Sequence, residues 1–428
     1  MTQIEFHLPR YSRYKKTQID WASKVPVHWE IKALKYIAKL QSGDTIRPEQ
    51  FTEDGYPVFG GNGFRGYTKS FNNIGRLPLI GRQGALCGNV NYSSGYFFAS
   101  EHAVVVYPKS GSSVTWIGEA IRTADFNRLS QSTAQPGISV AVVENQRFPH
   151  PPLAEQKAIA EFIDHKSDQI DQTIQIKERQ IELLKERKQI LIQQAVTRGI
   201  FPDAPMRDSG IEWIGEIPAH WEVMANRALF HERVEPGKEE LPLLSVSIHS
   251  GVSKEEISED DNIRGRVKIE DKTKYQIVRP GDIAFNMMRA WQGAIGAVRV
   301  EGMVSPAYTI AIPCPRLNAQ YFEYQYRTPI FIQQMDRYSK GITDFRKRLY
   351  WDGFRQLITL VPPVEEQQTI VKFIEHAMQK QDAAVALLER QITKIKEYKS
   401  TLISCAVTGK IKVPGVVEPA DVKEREIA

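Results

Sequence analysis

The chain has 428 residues, with 56 Lys plus Arg against 51 Asp plus Glu and a formal charge of +5; that length suits about three units of ~150 residues. Charged residues make up 25% and aromatics 10%, a globular composition that excludes a largely disordered chain, while the mild excess of base permits a nucleic-acid partner without requiring one. Cys87, Cys314 and Cys405 are too scattered for a disulfide framework or a cysteine zinc site. No run approaches the ~18 apolar residues of a membrane span, and the opening MTQIEFHLPRYSRYKK lacks the apolar core of a signal peptide, so the expectation is a cytoplasmic chain away from the membrane.

The first landmark along the chain is Trp21, Pro26, His28, Trp29 and Glu30, which returns as Trp213, Pro218, His220, Trp221 and Glu222 at a constant offset of 192. Four of the seven Trp lie in this motif, so chance is a poor explanation and an internal duplication is expected. Between the first copy and residue 150 run short β-rich stretches bounded by Gly, Pro and Asn, such as 77–82 and 102–108. They predict strands that serve as scaffold for working loops.

One loop, FGGNGFRGYTKS, places Gly61, Gly63 and Gly66 in a G-x-G-x-x-G pattern. A dinucleotide site would need a helix to follow at once, and Tyr67-Thr68-Lys69-Ser70 is poor helix, so that reading is set aside. A tight turn requiring positive φ is the plain reading. The other is a loop that carries Asn62, Arg65, Tyr67 and Lys69 toward a phosphate or base edge. The loop Gly81-Arg82-Gln83-Gly84, followed by Asn89 and Asn91, has side chains suited to a base edge as well. Arg82 matches guanine and Gln83 matches adenine, although each alone is an ordinary surface group.

Residues 151–197 align without gaps with 362–408 at an offset of 211, with 21 identities in 47 positions. The apolar residues Ile163, Ile170, Ile174, Ile181, Leu184 and Leu191 recur as Ile374, Val385, Ile392, Ile395 and Leu402, with Gln381 interrupting the second series. Steps of 3, 4 and 7 make a narrow seam on a long helix close to a coiled-coil stripe. Pro151-Pro152 and Pro362-Pro363 mark the starts and Gly199 and Gly409 the ends. Each rod must bury its seam, either in a dimerisation coiled coil or against the other copy within the chain. Residues 198–212 form a linker, and the charged 413–428 stretch is read as a frayed tail.

The second β-rich region (206–361) has strand-like runs at 274–285 and 307–313 and concentrates polar and aromatic residues in two places. One holds Asn286, Arg289, Trp291 and Gln292. The other, 337–348, has five Lys or Arg against the single Asp344 and contains Lys340, Thr343, Arg346 and Arg348. Basic side chains interleaved with aromatics suit a polyanion that offers stacking surfaces; a solvated basic face is the plainer reading.

Catalytic motifs are missing. There is no P-loop, HExxH, CxxC or GxSxG, and no Asn-Pro-Pro-aromatic motif of an amino-methyltransferase. Glu270-Asp271-Lys272 is read as a coincidental fragment of a nuclease pattern. The nine His show no metal-ligand spacing, and His28/His220 and His165/His376 repeat with the structural motifs, which points to packing or capping. Binding rather than catalysis is expected, with a coiled-coil adaptor for proteins as the competing reading and a nuclease as the weakest.

The P-x-H-W-E openings, the PPxxEQ helix starts, the AVT-G ends and the order variable–repeat–variable–repeat together resemble the specificity subunits of Type I restriction-modification enzymes. The resemblance covers nearly the whole chain. It implies an α+β fold with two mixed α/β target-recognition domains separated by two long antiparallel coiled-coil helices, in a pseudo-twofold duplication. The implied boundaries are 1–150 and 206–361 for the recognition domains, and 151–205 and 362–428 for the helices with their linker and tail. It further implies a non-catalytic subunit without a cofactor of its own. Its partners would be double-stranded DNA, two modification subunits that carry S-adenosylmethionine and methylate adenine, and restriction subunits that use ATP and Mg. Recognition domains vary so much within that family that no base-contact residue carries over by motif.

Overall fold

The computed structural model describes residues 8–84, 86–109, 111–130, 137–254, 272–341 and 347–419. The chain divides into two compact units, Met1–Lys177 with Glu389–Ala428, and Glu178–Leu388. Both boundaries cut through a long helix, so each unit holds one β-rich region and part of each long helix.

In the first unit, Ala38–Ser42, Pro78–Gly81, Val90–Tyr92 and Ala103–Pro108 form an antiparallel sheet in the order 90–92, 78–81, 103–108, 38–42. Leu79, Ala103 and Val105 pack with Phe97 and Ala99 of a second, five-stranded sheet. The helix Val114–Ala124 lies against strands 78–81 and 90–92. Covered in this way, the run Ala103–Val106 is buried without the polar alternation of a half-exposed strand. Glu30–Ala33 pairs antiparallel with Arg147–His150, closing the region and delivering the chain to Pro151.

The second unit repeats the plan. Phe230–Glu232, Tyr308–Pro313, Ile283–Asn286 and Ile295–Ala297 form an antiparallel sheet in that order. Glu222–Ala225 pairs with Ile358–Val361. The core gathers Trp221, Phe230, Phe285, Phe322, Tyr326, Phe331 and Phe354. Within 274–285 the expected single run breaks into Gln276–Val278 and Ile283–Asn286, because Pro280 is followed by Gly281 at φ 94°.

The structure exposes a third register of repetition. Strand Ala103–Pro108 matches Tyr308–Pro313 at an offset of 205, as do the following N-cap residues, Ser113 and Asn318. Offsets of 192, 205 and 211 along the chain mean that the extra residues of the second copy enter at two separate places.

The long helices are Leu153–Arg198 and Val364–Val407, of 46 and 44 residues. They start directly after the Pro pairs, and Gly199 and Gly409 follow with φ of 75° and 70°, the left-handed geometry that ends a helix. At 1.5 Å per residue each is a rod of roughly 65 Å. In the first unit, Lys399 Nζ meets Asp171 at 2.7 Å and Lys177 Nζ meets Gln391 Oε1 at 2.7 Å; rising numbers on one helix meet falling numbers on the other, so the segments are antiparallel. In the second unit, Lys188 Nζ meets Asp382 at 2.8 Å and Gly199 lies beside Glu366, the same direction. Along the seam Ile163, Ile170, Ile174, Ile181, Ile374, Ile392 and Leu402 are buried, while Leu184, Leu191, Val385 and Ile395 are half-buried, as is the interrupting Gln381. His165 and His376 are exposed on the helix surface, unlike His28 of the other repeated pair, whose side chain is buried.

Candidate nucleic-acid interface

The repeated sequence motifs meet at one anchor in each unit. In the first, Trp29 Nε1 donates to Glu155 Oε1 at 2.9 Å, His28 Nε2 lies 2.8 Å from Glu155 Oε2, and the Tyr11 hydroxyl donates to the same carboxylate. In the second, Trp221 Nε1 donates to Glu366 Oε1 at 3.1 Å and His220 Nε2 lies 2.6 Å from Oε2. The next residue makes the second tie. Gln156 donates to Pro151 O at 2.9 Å and accepts from Ser113 N at 3.2 Å; Gln367 donates to Pro362 O at 2.8 Å and accepts from Asn318 N at 2.7 Å. Glu-Gln therefore clamps the start of each long helix to the β-rich region it follows. Burial, with the neighbouring Glu155 carboxylate, pushes the Tyr11 phenol well above its ordinary range.

On this frame the chemistry-bearing loops come together in part. In the first unit Arg82 is half-buried, with its Nη1 3.4 Å from Ser42 Oγ and its backbone N–H donating to His102 O at 2.9 Å. Gln83 is exposed. The turn Gly61-Asn62-Gly63 crosses close by. A Cβ on Gly81 would sit 2.0 Å from Gly61 O, so only glycine allows the crossing. Asn62 is exposed and accepts from Asn89 Nδ2 at 3.4 Å. Asn62, Arg82 and Gln83 thus share one end of the unit.

Tyr67 lies near the far end of strand Gly63–Thr68 and Lys69 just beyond it, roughly 13 and 20 Å from Gly63 at ~3.3 Å per residue. Lys69 is engaged by Asp54 at 2.5 Å, and this contact holds the Asp54 carboxyl below its usual range. Arg65 is exposed, with its guanidinium 5.7 Å from the Phe51 ring centre, and Tyr67 packs edge-to-face with Phe64 at 5.0 Å.

In the second unit the two polar stretches adjoin. Leu349 N donates to Met287 O at 2.9 Å, and Lys347 Nζ lies 5.2 Å from the Trp291 ring centre while pairing with Asp336 at 2.7 Å. Arg289 and Gln292 are exposed, and Trp291 is half-buried with its indole N–H donating to Met288 O at 3.0 Å. Asn286 is buried and its Oδ1 accepts from Met288 N at 2.9 Å, which makes it a residue that shapes the turn. Lys340 is exposed and pairs through the backbone with half-buried Arg348, at 2.8 and 2.9 Å. Thr343 and Arg346 lie outside the described residues.

The loops 81–88 and 286–293 are equivalent. Each follows the strand that pairs with Ala103–Pro108 or Tyr308–Pro313. Each has eight residues and ends on a left-handed glycine, Gly88 at φ 85° and Gly293 at φ 94°. Arg82 N donates to His102 O at 2.9 Å, and Met287 N donates to Ala307 O at 3.1 Å. Gly81 N donates to Asn89 O at 2.8 Å, and Asn286 N to Ala294 O at 3.0 Å. The backbone contacts at the ends of the loops are shared and the side chains are not: GRQGALCG against NMMRAWQG. Glu101 and His102 stand beside the first loop, and sequence reasoning misses them because only the 205 register reveals which residues are neighbours there. Among the described residues, no group of three or more His, Cys, Asp or Glu is placed to hold a metal, and no helix is long and apolar enough to cross a membrane.

Residues 26–186 match the family model described as Type I restriction modification DNA specificity domain. The EcoprrI specificity subunit of Escherichia coli is 36% identical over 156 residues, covering 35% of this chain and 39% of that relative, so the match spans about two-fifths of the relative's length. The EcoBI specificity subunit of the same species is 24% identical over 418 residues, covering 84% and 85%. The chain is similar to Type I specificity subunits, through the family model over residues 26–186 and through the EcoBI relative over most of its length. A solved chain described under complex assembly and conformational transition of the type I R-M system superposes with a TM-score of 0.62 at 12% identity, covering 90% of this chain and 98% of that one, and shares the fold. The family model spans the first Pro-x-His-Trp-Glu motif, its variable region and most of the first long helix, and the second unit repeats each of these elements.

Proposed function

We propose that this chain is the DNA-reading subunit of a Type I restriction-modification complex. Residues 1–150 and 206–361 each read one half of a split, asymmetric target, and the helical segments 151–205 and 362–428 set the spacing and dock the modification subunits. The observation that carries the reading is the pair of equivalent eight-residue loops: one scaffold, twice, presenting Arg-Gln in one copy and Arg-Ala-Trp-Gln in the other. Arg and Gln are the side chains whose paired donors and acceptors match guanine and adenine edges. A shared scaffold with divergent loops gives two similar partners equivalent docking sites while making the target asymmetric.

In this reading the chain itself contributes binding and leaves catalysis and cofactors to its partners. S-adenosylmethionine belongs to the two modification subunits, ATP and Mg to the restriction subunits, and the assembly acts on double-stranded DNA in the cytoplasm. The modest charge of +5 fits a reader whose partners contribute part of the phosphate contact. The test is a salt titration of duplex binding by the chain co-purified with the modification subunit of its own operon. The expected result is affinity that falls linearly in log–log form as phosphate contacts release counterions. Absence of any duplex affinity in the soluble complex would favour the protein adaptor instead.

A further inference from the structure

The turn before strand Ala103–Pro108 and the turn before Tyr308–Pro313 are the same device. Ala103 N donates to Ser100 O at 2.9 Å and His102 N lies 3.4 Å from Ser100 Oγ; Tyr308 N donates to Ser305 O at 2.9 Å and Ala307 N lies 3.4 Å from Ser305 Oγ. The corner positions are Glu101-His102 in the first unit and Pro306-Ala307 in the second. Pro-Ala makes the turn without any polar side chain, so the fold does not need a carboxylate and an imidazole there.

In the first unit those two groups are held beside the reading loop. His102 O takes the Arg82 N–H, and a Cβ on Gly61 would lie 3.4 Å from His102 O and 2.9 Å from Gln83 O. His102 Nε2 lies 3.3 Å from Glu101 Oε1, while Glu101 Oε2 and His102 Nδ1, both shielded from solvent, have no hydrogen-bond partner among the described residues. The Glu101 side chain keeps 33% of its surface exposed and His102 37%. A carboxylate on a DNA-facing edge is repelled by every phosphate, and its favourable contact is an exocyclic amino group on a base edge, cytosine N4 or adenine N6. The Glu101 side chain is a third exposed, and beyond its contact with His102 the carboxylate keeps lone pairs for such a donor.

We propose that Glu101, positioned by His102, is a specificity-determining residue of the first unit that accepts a hydrogen bond from the amino group of a cytosine or adenine in its half-site. This rests on the DNA-reading function proposed above. The test uses the full chain in complex with the modification subunit and its target duplex, identified from the sites that the complex methylates. Binding is measured on a panel in which each base pair of the first half-site is replaced in turn, for the wild type, Glu101→Gln, and the double substitution Glu101→Pro with His102→Ala, which copies the second unit's own turn. The wild type is expected to discriminate roughly 5- to 150-fold at one cytosine or adenine position. The double substitution is expected to lose discrimination there, and Glu101→Gln to shift it toward adenine, whose N6 and N7 an amide matches, with the other positions and the second half-site unchanged; the base that the wild type prefers there tells cytosine from adenine. A discrimination profile identical to the wild type, or uniform weakening across the panel, overturns the role of Glu101 and leaves the DNA-reading function standing. Absence of a split methylated target in the wild type overturns both.

Discussion

Glu155 and Glu366 hold the anchors of the two units. Each is shielded from solvent and accepts the indole N–H of the repeated Trp and a contact from the repeated His. Replacing Glu155 with Gln removes the charge and turns one acceptor into a donor facing Trp29 or His28. Hydrogen bonds to a charged acceptor are worth about 1.5–3 kcal/mol each, so a loss of roughly 2–4 kcal/mol is expected; an unchanged melting temperature for the Glu155→Gln complex would remove the anchor from the account. Arg82→Ala or Gln83→Ala is expected to relax the first half-site alone, and equal loss in both halves would count against that loop as a reader.

The buried phenols set an alkaline limit. Burial raises Tyr11, Tyr92, Tyr321 and Tyr326 above the ordinary 10.0. A group whose folded value is raised contributes stability that is complete below the unfolded value and is lost as pH rises beyond it. Thermal stability should therefore hold to about pH 10 and fall above it. The Tyr11→Phe variant should show a shallower fall, and an identical slope would contradict the coupling.

At the scale of elements, the glycine crossing is the weak point of loop 81–88. Gly81→Ala puts a methyl 2.0 Å from the Gly61 carbonyl oxygen, and backbone cannot give way as a side-chain tip can. A loss of about 1–3 kcal/mol, together with blurred recognition of the first half-site, is expected from the overpacking, and calorimetry with target mapping on the same variant checks both.

The long helices are legible in the sequence because a seam, a Pro pair and a terminal Gly all agree on the same boundaries. The anchors are legible only as repetition: the spacing of Trp29 and Glu155 says nothing about their contact until the strands 30–33 and 147–150 pair. The candidate interface is legible in part. Arg82, Gln83, Arg289 and Gln292 follow from base-edge chemistry, but Asn286 turns inward, and Tyr67 and Lys69 go to the far end of a strand. Glu101 escapes notice because an acidic residue argues against DNA until its neighbours are known.

At the scale of the whole molecule, duplication gives two units with matched anchors and matched four-stranded sheets, while the loop side chains at 81–88 and 286–293 differ. If the helices act as the spacer, one extra turn of four residues in each, about 6 Å of rod, should lengthen the gap between half-sites while leaving both half-sites intact. An unchanged gap would refute the spacer.

The most direct test of the central claim is to co-express the chain with the modification subunit of its own operon and map methylated bases across the host genome by single-molecule sequencing. The account predicts one split, asymmetric motif with an adenine modified in each half. A soluble complex that leaves no such motif would contradict it.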